Sequence, residues 1–101
     1  MAKVAMSGRF ECQDGKSDEM DAAVAAQTEA LTSDTNVEVY AYSRGQENQY
    51  TFFALFPSWE AMQNHGQGAE MQEAMETFKS LLAGPPDVVM AELVAAKGFG
   101  T

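Results

Sequence analysis

The sequence predicts an α+β domain in which helices cover one face of a four-stranded antiparallel sheet. The chain has 101 residues, which allows one hydrophobic core but no second domain, so residues 1–101 form a single unit. Four segments have the apolar pattern of strands, and two regions between them repeat apolar residues at helical spacing. A hydrophobic fraction of 46% with 10% aromatic residues supplies enough apolar surface for such a fold.

The first strand is predicted at residues 3–13, where side chains alternate between two faces. Its more apolar face holds Val4, Met6, Gly8, Phe10 and Cys12. After the turn at Asp14-Gly15, Ser17 is expected to cap a helix whose first turn is acidic. Helical spacing predicts that its buried stripe consists of Met20, Ala23, Val24, Gln27, Ala30 and Leu31. The polar segment 32–36 should end it.

A hairpin is predicted next, with strands at residues 37–44 and 50–56 around a polar, glycine-containing loop. Pro57 followed by Ser58 then indicates the start of a short helix with Ser58 as its N-cap. Gly66 could end this helix.

A longer helix follows, and its buried positions should be Met71, Ala74, Met75, Phe78, Leu81 and Leu82. The sequence Gly-Pro-Pro at 84–86 stops it. The last strand is predicted at residues 88–96, ahead of a loose tail at 98–101.

The resulting order, β-α-β-β-α-β, is that of a ferredoxin-like domain. Helices can cover only one face of its sheet, yet the second and third strands carry apolar residues on both faces. We expect a face lined by Tyr40, Tyr42, Phe53 and Leu55 to meet a second subunit, since large exposed apolar patches are rare on monomers. This predicts a homodimer through the sheet face.

Charge and cysteine content exclude several classes of partner and site. A net charge of -9 with six basic residues leaves no patch for nucleic acid or an anionic membrane. The N-terminal residues lack the apolar run of a signal peptide and no segment is long enough to span a membrane, so we expect a cytoplasmic protein. Cys12 has no internal disulfide partner, and no cysteine or histidine pair has metal-ligand spacing. Neither an internal disulfide nor a zinc site is therefore expected.

The segment FPSWEAMQNH at residues 56–65 resembles the antibiotic biosynthesis monooxygenase family, whose subunits form dimeric α+β barrels. In that family the third strand ends in tryptophan, followed by serine or aspartate, a Glu-Ala pair and a histidine. Ser58, the pair Glu60-Ala61 and His65 match in register, while Phe56 stands at the tryptophan position. The element order extends the resemblance over nearly the whole chain.

The resemblance implies oxidation of a quinol- or anthrone-like aromatic molecule by O2 without metal or flavin. The protein would supply an apolar cavity, a base for the phenolic proton and a donor for the resulting oxyanion. A non-catalytic dimer that binds a small apolar molecule on the same scaffold is the alternative. Haem degradation, found in some relatives, fits less well because no histidine occurs between Gly66 and Leu82.

His65 is the candidate base, since histidine titrates near neutral pH, although it could instead pack at a helix start and bind a backbone group. Asn64 is the candidate oxyanion donor, with turn formation as its alternative role.

Four aromatic residues are candidates for substrate binding, and for each the alternative is ordinary packing in the core, sheet or interface. They are Trp59, Phe56, Tyr40 and Tyr42.

Overall fold

The computed structural model describes residues 3–98, apart from the side chain of Glu70, and contains the predicted β-α-β-β-α-β order. The elements are β1 (Val4–Glu11), α1 (Ser17–Ala30), β2 (Val39–Arg44), β3 (Gln49–Phe56), α2 (Trp59–Gln67), α3 (Ala69–Leu81) and β4 (Asp87–Glu92). A 3₁₀ turn, Leu31–Ser33, follows α1. The predicted tail lies outside the described residues beyond Gly98.

The four strands form one antiparallel sheet in the order β2-β3-β1-β4, which confirms the ferredoxin-like α+β fold. The alternation predicted for β1 is also present. Val4 and Cys12 are buried while Ser7, Arg9 and Glu11 are exposed. Alternate side chains of β1 therefore enter the core, as the pleat of a strand requires.

The core lies between one face of the sheet and the helices α1 and α3. Its largest cluster joins Cys12, Met20, Val24, Tyr50, Phe78 and Leu81. A second cluster beside α2 contains Ala54, Phe56 and Ala61. No helix within residues 3–98 has the length and apolarity needed to cross a membrane.

The register of the sheet corrects the predicted composition of its two faces. Tyr40 pairs with Ala54 and Tyr42 with Phe52, and directly paired residues share a face. Both tyrosines pack with the core clusters beneath the helices, so they do not lie on the face that carries Phe53. The error arose because a shift of one residue between β2 and β3 exchanges the two faces.

Several predicted boundaries also differ. Ser17 is the first residue of α1, and Lys16 occupies the cap position without a side-chain hydrogen bond. The N-cap prediction for Ser58 is confirmed, because its side chain accepts a hydrogen bond from the backbone N–H of Ala61 at 3.1 Å. Gly66 lies within α2, and the extended backbone of Gly68 separates α2 from α3.

The last strand is shorter than predicted because its partner ends. In the sheet, β4 is an edge strand that pairs only with β1, and its final pair is Glu92 with Val4. The N–H of Leu93 still donates to the carbonyl of Lys3 at 2.8 Å. Residues 93–96 have no regular structure.

Gly8 of β1 lies between β3 and β4 where there is no room for a side chain. It pairs with Phe52 on one side and Val88 on the other. A Cβ atom at this position would lie 2.2 Å from the carbonyl oxygen of Asp87 and 2.8 Å from the Phe52 ring. Since the first of these atoms belongs to the backbone, a side chain here would force β1 and β4 apart.

We therefore expect Gly8→Ala to lower the free energy of unfolding by about 2–3 kcal/mol, as overpacking does in other proteins. The matched control is Gly66→Ala, because that helical glycine has no atom within 4 Å of an added Cβ. It should raise the free energy of unfolding by about 0.5–1 kcal/mol. Urea unfolding of both variants measures the effects, and equal stability of Gly8→Ala and wild type would contradict the analysis.

Candidate functional site

A histidine and an aspartate from distant parts of the chain form a buried pair. His65 lies in the last turn of α2, and Asp34 follows the 3₁₀ turn after α1. The Nδ1 atom of His65 is 3.0 Å from Oδ2 of Asp34. His65 is only 5% exposed, so the pair is largely withdrawn from water.

The hydrogen bond assigns the proton on the imidazole ring. Burial alone would raise the pKa of Asp34, but hydrogen bonds from His65 and Asn36 outweigh it and lower that pKa. The Asp34 carboxylate is therefore ionised at neutral pH and can only accept, so Nδ1–H of His65 donates. In neutral imidazole the other nitrogen, Nε2, then carries a free lone pair. Nε2 is buried and has no hydrogen-bond partner among the residues that the structure describes.

Aromatic rings lie around this imidazole. The Tyr40 ring centroid is 5.9 Å from that of His65, and the Phe56 ring centroid is 5.5 Å from it. Phe56 is fully buried in the cluster beside α2. These contacts fix the ring and make its surroundings apolar, which is unusual for a side chain with an unpartnered polar nitrogen.

His65 lines a cavity of about 560 Å³ that we call the helical cleft. The cleft is bounded by α1, α2, α3 and the turn after α1. Asp34, Asn64, Met71, Glu73 and Phe78 also line it, together with alanines of α1 and α3. Small side chains on both helices leave this space open.

A second cavity, of about 230 Å³, lies between α3 and the helix-covered face of the sheet. We call it the sheet cavity. Its walls are almost entirely apolar and are formed by Met6, Phe10, Tyr40, Tyr42, Phe52, Met71, Met75, Phe78, Leu82, Pro86, Val88 and Met90. Such walls suit the flat faces of an aromatic ligand.

Hydrogen bonds connect the sheet to α1 and α3 between the two cavities. The Tyr42 hydroxyl donates to Oε1 of Gln27 and lies 3.4 Å from the Tyr40 hydroxyl. Nε2 of Gln27 in turn lies 3.2 Å from Sδ of Met71, to which it donates. Burial raises the pKa of both Tyr40 and Tyr42, so both hydroxyls keep their protons at neutral pH.

The predicted site residues thus fall into two groups. His65 and the exposed Asn64 line the helical cleft, whereas Tyr40 and Tyr42 line the sheet cavity. The Phe56 ring packs against the His65 ring. Trp59 is 44% exposed at the start of α2 and lines neither cavity. Tyr40 links the two groups, because it contacts the His65 ring and is also one of the residues that line the sheet cavity.

Two residues of the site were not predicted. Asp34 was interpreted only as part of the polar segment that ends α1, and its partner is 31 residues away, so no local pattern indicates the pair. Gln27 was placed correctly on the buried side of α1. A glutamine among apolar residues at that spacing is a signal for a buried polar contact.

The lowered pKa of Asp34 predicts a pH-dependent contribution to stability. Because the folded state favours the ionised carboxylate, the contribution is present above the ordinary value of 3.8 and is lost as pH falls through the folded-state pKa. Asp34→Asn should lower the free energy of unfolding by about 1.5–3 kcal/mol at neutral pH.

The difference between Asp34→Asn and wild type should shrink on acidification to about pH 3, as measured by urea unfolding across the range. Glu76→Gln, at an exposed position of α3, is the control and should show little difference at either pH. A difference for Asp34→Asn that stays constant with pH would refute the assignment.

Among residues 3–98, no cluster of three or more histidine, cysteine, aspartate or glutamate side chains could hold a metal ion.

Comparison with known proteins identifies the fold. No protein-family model and no curated protein matches the sequence. A protein of unknown function from Nitrosomonas europaea is similar in structure, with a TM-score of 0.85 and 23% sequence identity over 96% of this chain and 94% of that chain.

Two further structures carry the name "putative antibiotic biosynthesis monooxygenase". The one from Caulobacter crescentus has a TM-score of 0.87 and 18% identity, and the alignment covers 93% of this chain and 92% of that chain. The one from Chloroflexus aurantiacus has a TM-score of 0.82 and 17% identity, with 98% and 100% covered. The chain therefore has the ferredoxin-like α+β fold of structures that carry the antibiotic biosynthesis monooxygenase name.

Proposed function

We propose that this protein oxidises an aromatic quinol- or anthrone-like molecule with O2 and uses His65 as the base that removes the substrate proton. The observation that carries the proposal is the unpartnered Nε2 of His65, held in an apolar setting by the Nδ1–H bond to Asp34. The names of the similar structures point to the same reaction class.

The pair of His65 and Asp34 suits proton removal for a physical reason. The Asp34 carboxylate fixes the imidazole orientation and stabilises the imidazolium that forms when Nε2 accepts a proton. No protein group competes for Nε2 among the described residues. Because Nε2 is buried, a neighbouring side chain must move before a substrate hydroxyl can satisfy this nitrogen.

The second requirement is a donor for the phenolate oxygen. We propose Tyr40 for this role, because its ring contacts that of His65 and it lines the sheet cavity. Its raised pKa keeps the hydroxyl protonated. Asn64 lines the helical cleft beside His65 and is a second donor. A preorganised donor stabilises an oxyanion by an amount that is large in a water-poor site.

The electrons for the reaction come from the substrate. Removal of a proton from an anthrone-like molecule gives an electron-rich anion, which transfers electrons to O2 and forms a carbon–oxygen bond at the ring carbon opposite the phenolate. Loss of water from the resulting peroxide leaves a carbonyl group. One oxygen atom ends in the quinone and the other in water, so no external reductant is consumed.

The charges of the helical cleft favour an uncharged phenol over a carboxylated one. Asp34 and Glu73 both line it, and none of the described lining residues is a lysine or arginine. A carboxylated substrate would therefore be repelled without a compensating partner.

The test is oxygen consumption with a panel of uncharged quinols and anthrones, using protein treated with a chelator. We expect turnover that survives chelation and falls about 10²–10⁴-fold in His65→Ala, the usual contribution of a general base. Gln63→Ala changes an exposed neighbour in α2 and should retain the wild-type rate. Affinity for the substrate should change little in His65→Ala.

Turnover in His65→Ala equal to that of wild type would reject His65 as the base. Binding of the phenols without turnover in wild type would instead favour a non-catalytic dimer that binds a small apolar molecule on the same scaffold.

We also propose that two chains associate through the sheet face not covered by helices. Cross-strand pairing places Val39, Ala5 and Ala91 in one row of that face, beside Leu55, which is already fully buried within the chain, and Ala41, Phe53, Ser7 and Val89 in the next row. Val89 is 62% exposed. The small or apolar side chains of both rows can pack closely against a twofold copy of themselves.

The substitution Val89→Asp should shift the protein from dimer to monomer, because it would bury a carboxylate at the interface without a partner. The matched control is Val88→Asp, which adds the same charge to the same strand on the opposite face, where Val88 is 41% exposed. Sedimentation velocity measures the association. Dissociation by both variants, or by neither, would argue against this face.

A further inference from the structure

The helical cleft and the sheet cavity share a wall. Among the described residues, Met71 and Phe78 line both cavities. Gln27, which lines the cleft, and Tyr42, which lines the sheet cavity, meet through their hydrogen bond in the same region. The two spaces are therefore neighbours that these side chains separate.

Neither cavity alone meets the needs of a linear three-ring phenol. The sheet cavity offers apolar walls, but its 230 Å³ lies below the roughly 300–1,000 Å³ typical of ligand pockets, and His65 does not line it. The helical cleft is larger and contains His65, but it places carboxylates and amides beside the ligand. A ligand that extends through both would adjoin the His65 side chain in the cleft and bury its rings in the sheet cavity.

The shared wall has one fixed and one movable member. Phe78 is buried in the main core cluster, and its ring lies 6.4 Å from that of Tyr42. Met71 is half-buried, and methionine is an unbranched side chain with three rotatable bonds. Its polar contact is the hydrogen bond that Sδ accepts from Gln27, and thioether sulfur is a weak acceptor. Displacing Met71 breaks only this weak hydrogen bond, provided that the ligand then accepts from the buried Gln27 amide.

We propose that Met71 determines the length of the aromatic ligand this protein accepts. With the side chain in its present position, a two-ring phenol fits in one cavity. A linear three-ring phenol needs Met71 to swing away from Gln27, which joins the two cavities into one site. This inference rests on the proposed site, but not on turnover at that site.

The experiment compares binding of 2-naphthol and 2-anthrol under nitrogen, where oxidation does not interfere. The readout is the dissociation constant of 2-naphthol divided by that of 2-anthrol. A general loss of stability affects both constants alike and cancels in this ratio. Met71→Ala should raise the preference for 2-anthrol about tenfold, which corresponds to about 1.4 kcal/mol. Met71→Phe, which fills the gap with a stiffer ring, should lower that preference and serves as a second variant if Met71→Ala folds poorly.

Met75→Ala is the matched control. Met75 lies one helical turn away on α3, is 40% exposed and lines only the sheet cavity of the two. Its ratio should stay within roughly twofold of wild type. An unchanged ratio in both Met71 variants, an equal shift in Met75→Ala, or no binding of either phenol to wild type would overturn the proposal. A shifted ratio in a protein that shows no oxygen consumption would support Met71 while rejecting the oxidation.

Discussion

Burial of one face of a small sheet beneath two long helices is the interaction on which the other features of this protein depend. The aromatic residues Phe10, Tyr42 and Tyr50 extend from the strands into this layer, where Met20, Val24 and Phe78 meet them from the helices. Because α1 and α3 meet the sheet with a mixture of large side chains and alanines, the layer is not uniformly filled. The cavities follow from this uneven filling, and His65 of α2 lines the larger of the two.

Polar side chains inside this layer form hydrogen bonds that connect strands to helices. The Tyr50 hydroxyl donates to Asp21 at 2.6 Å and lies 3.1 Å from the carbonyl oxygen of Ser17, and these contacts attach β3 to α1. Burial and the Asp21 carboxylate raise the pKa of Tyr50 to about 12, so this bridge persists through the physiological range. Tyr42 and Gln27 form a similar bridge from β2. His65 departs from the pattern, since one of its nitrogens is satisfied and the other is not.

Local sequence patterns were sufficient for the elements of the fold but not for the relations between them. Alternation in β1 and the capping serine of α2 are properties of short segments, and both were predicted correctly. The face occupied by Tyr40 and Tyr42 depends on the register between β2 and β3, which alternation within one strand does not specify. The partner of His65 depends on how the turn after α1 approaches α2. Asp34 could therefore be assigned a role only once the fold was known.

Gly8 has a consequence for how the sheet cavity can change. The neighbours of Gly8 on its face of the sheet, Phe52 and Val88, line that cavity, and the backbone contact of Gly8 with Asp87 leaves no room for a larger residue. The sheet side of the cavity is thus constrained by main-chain geometry, whereas the α3 side includes Met71 and Met75, flexible side chains that lie outside the main core cluster. Proteins built on this scaffold would then differ in ligand preference mainly through the residues of one helix. A library of variants confined to these α3 positions would change ligand preference and leave the sheet intact.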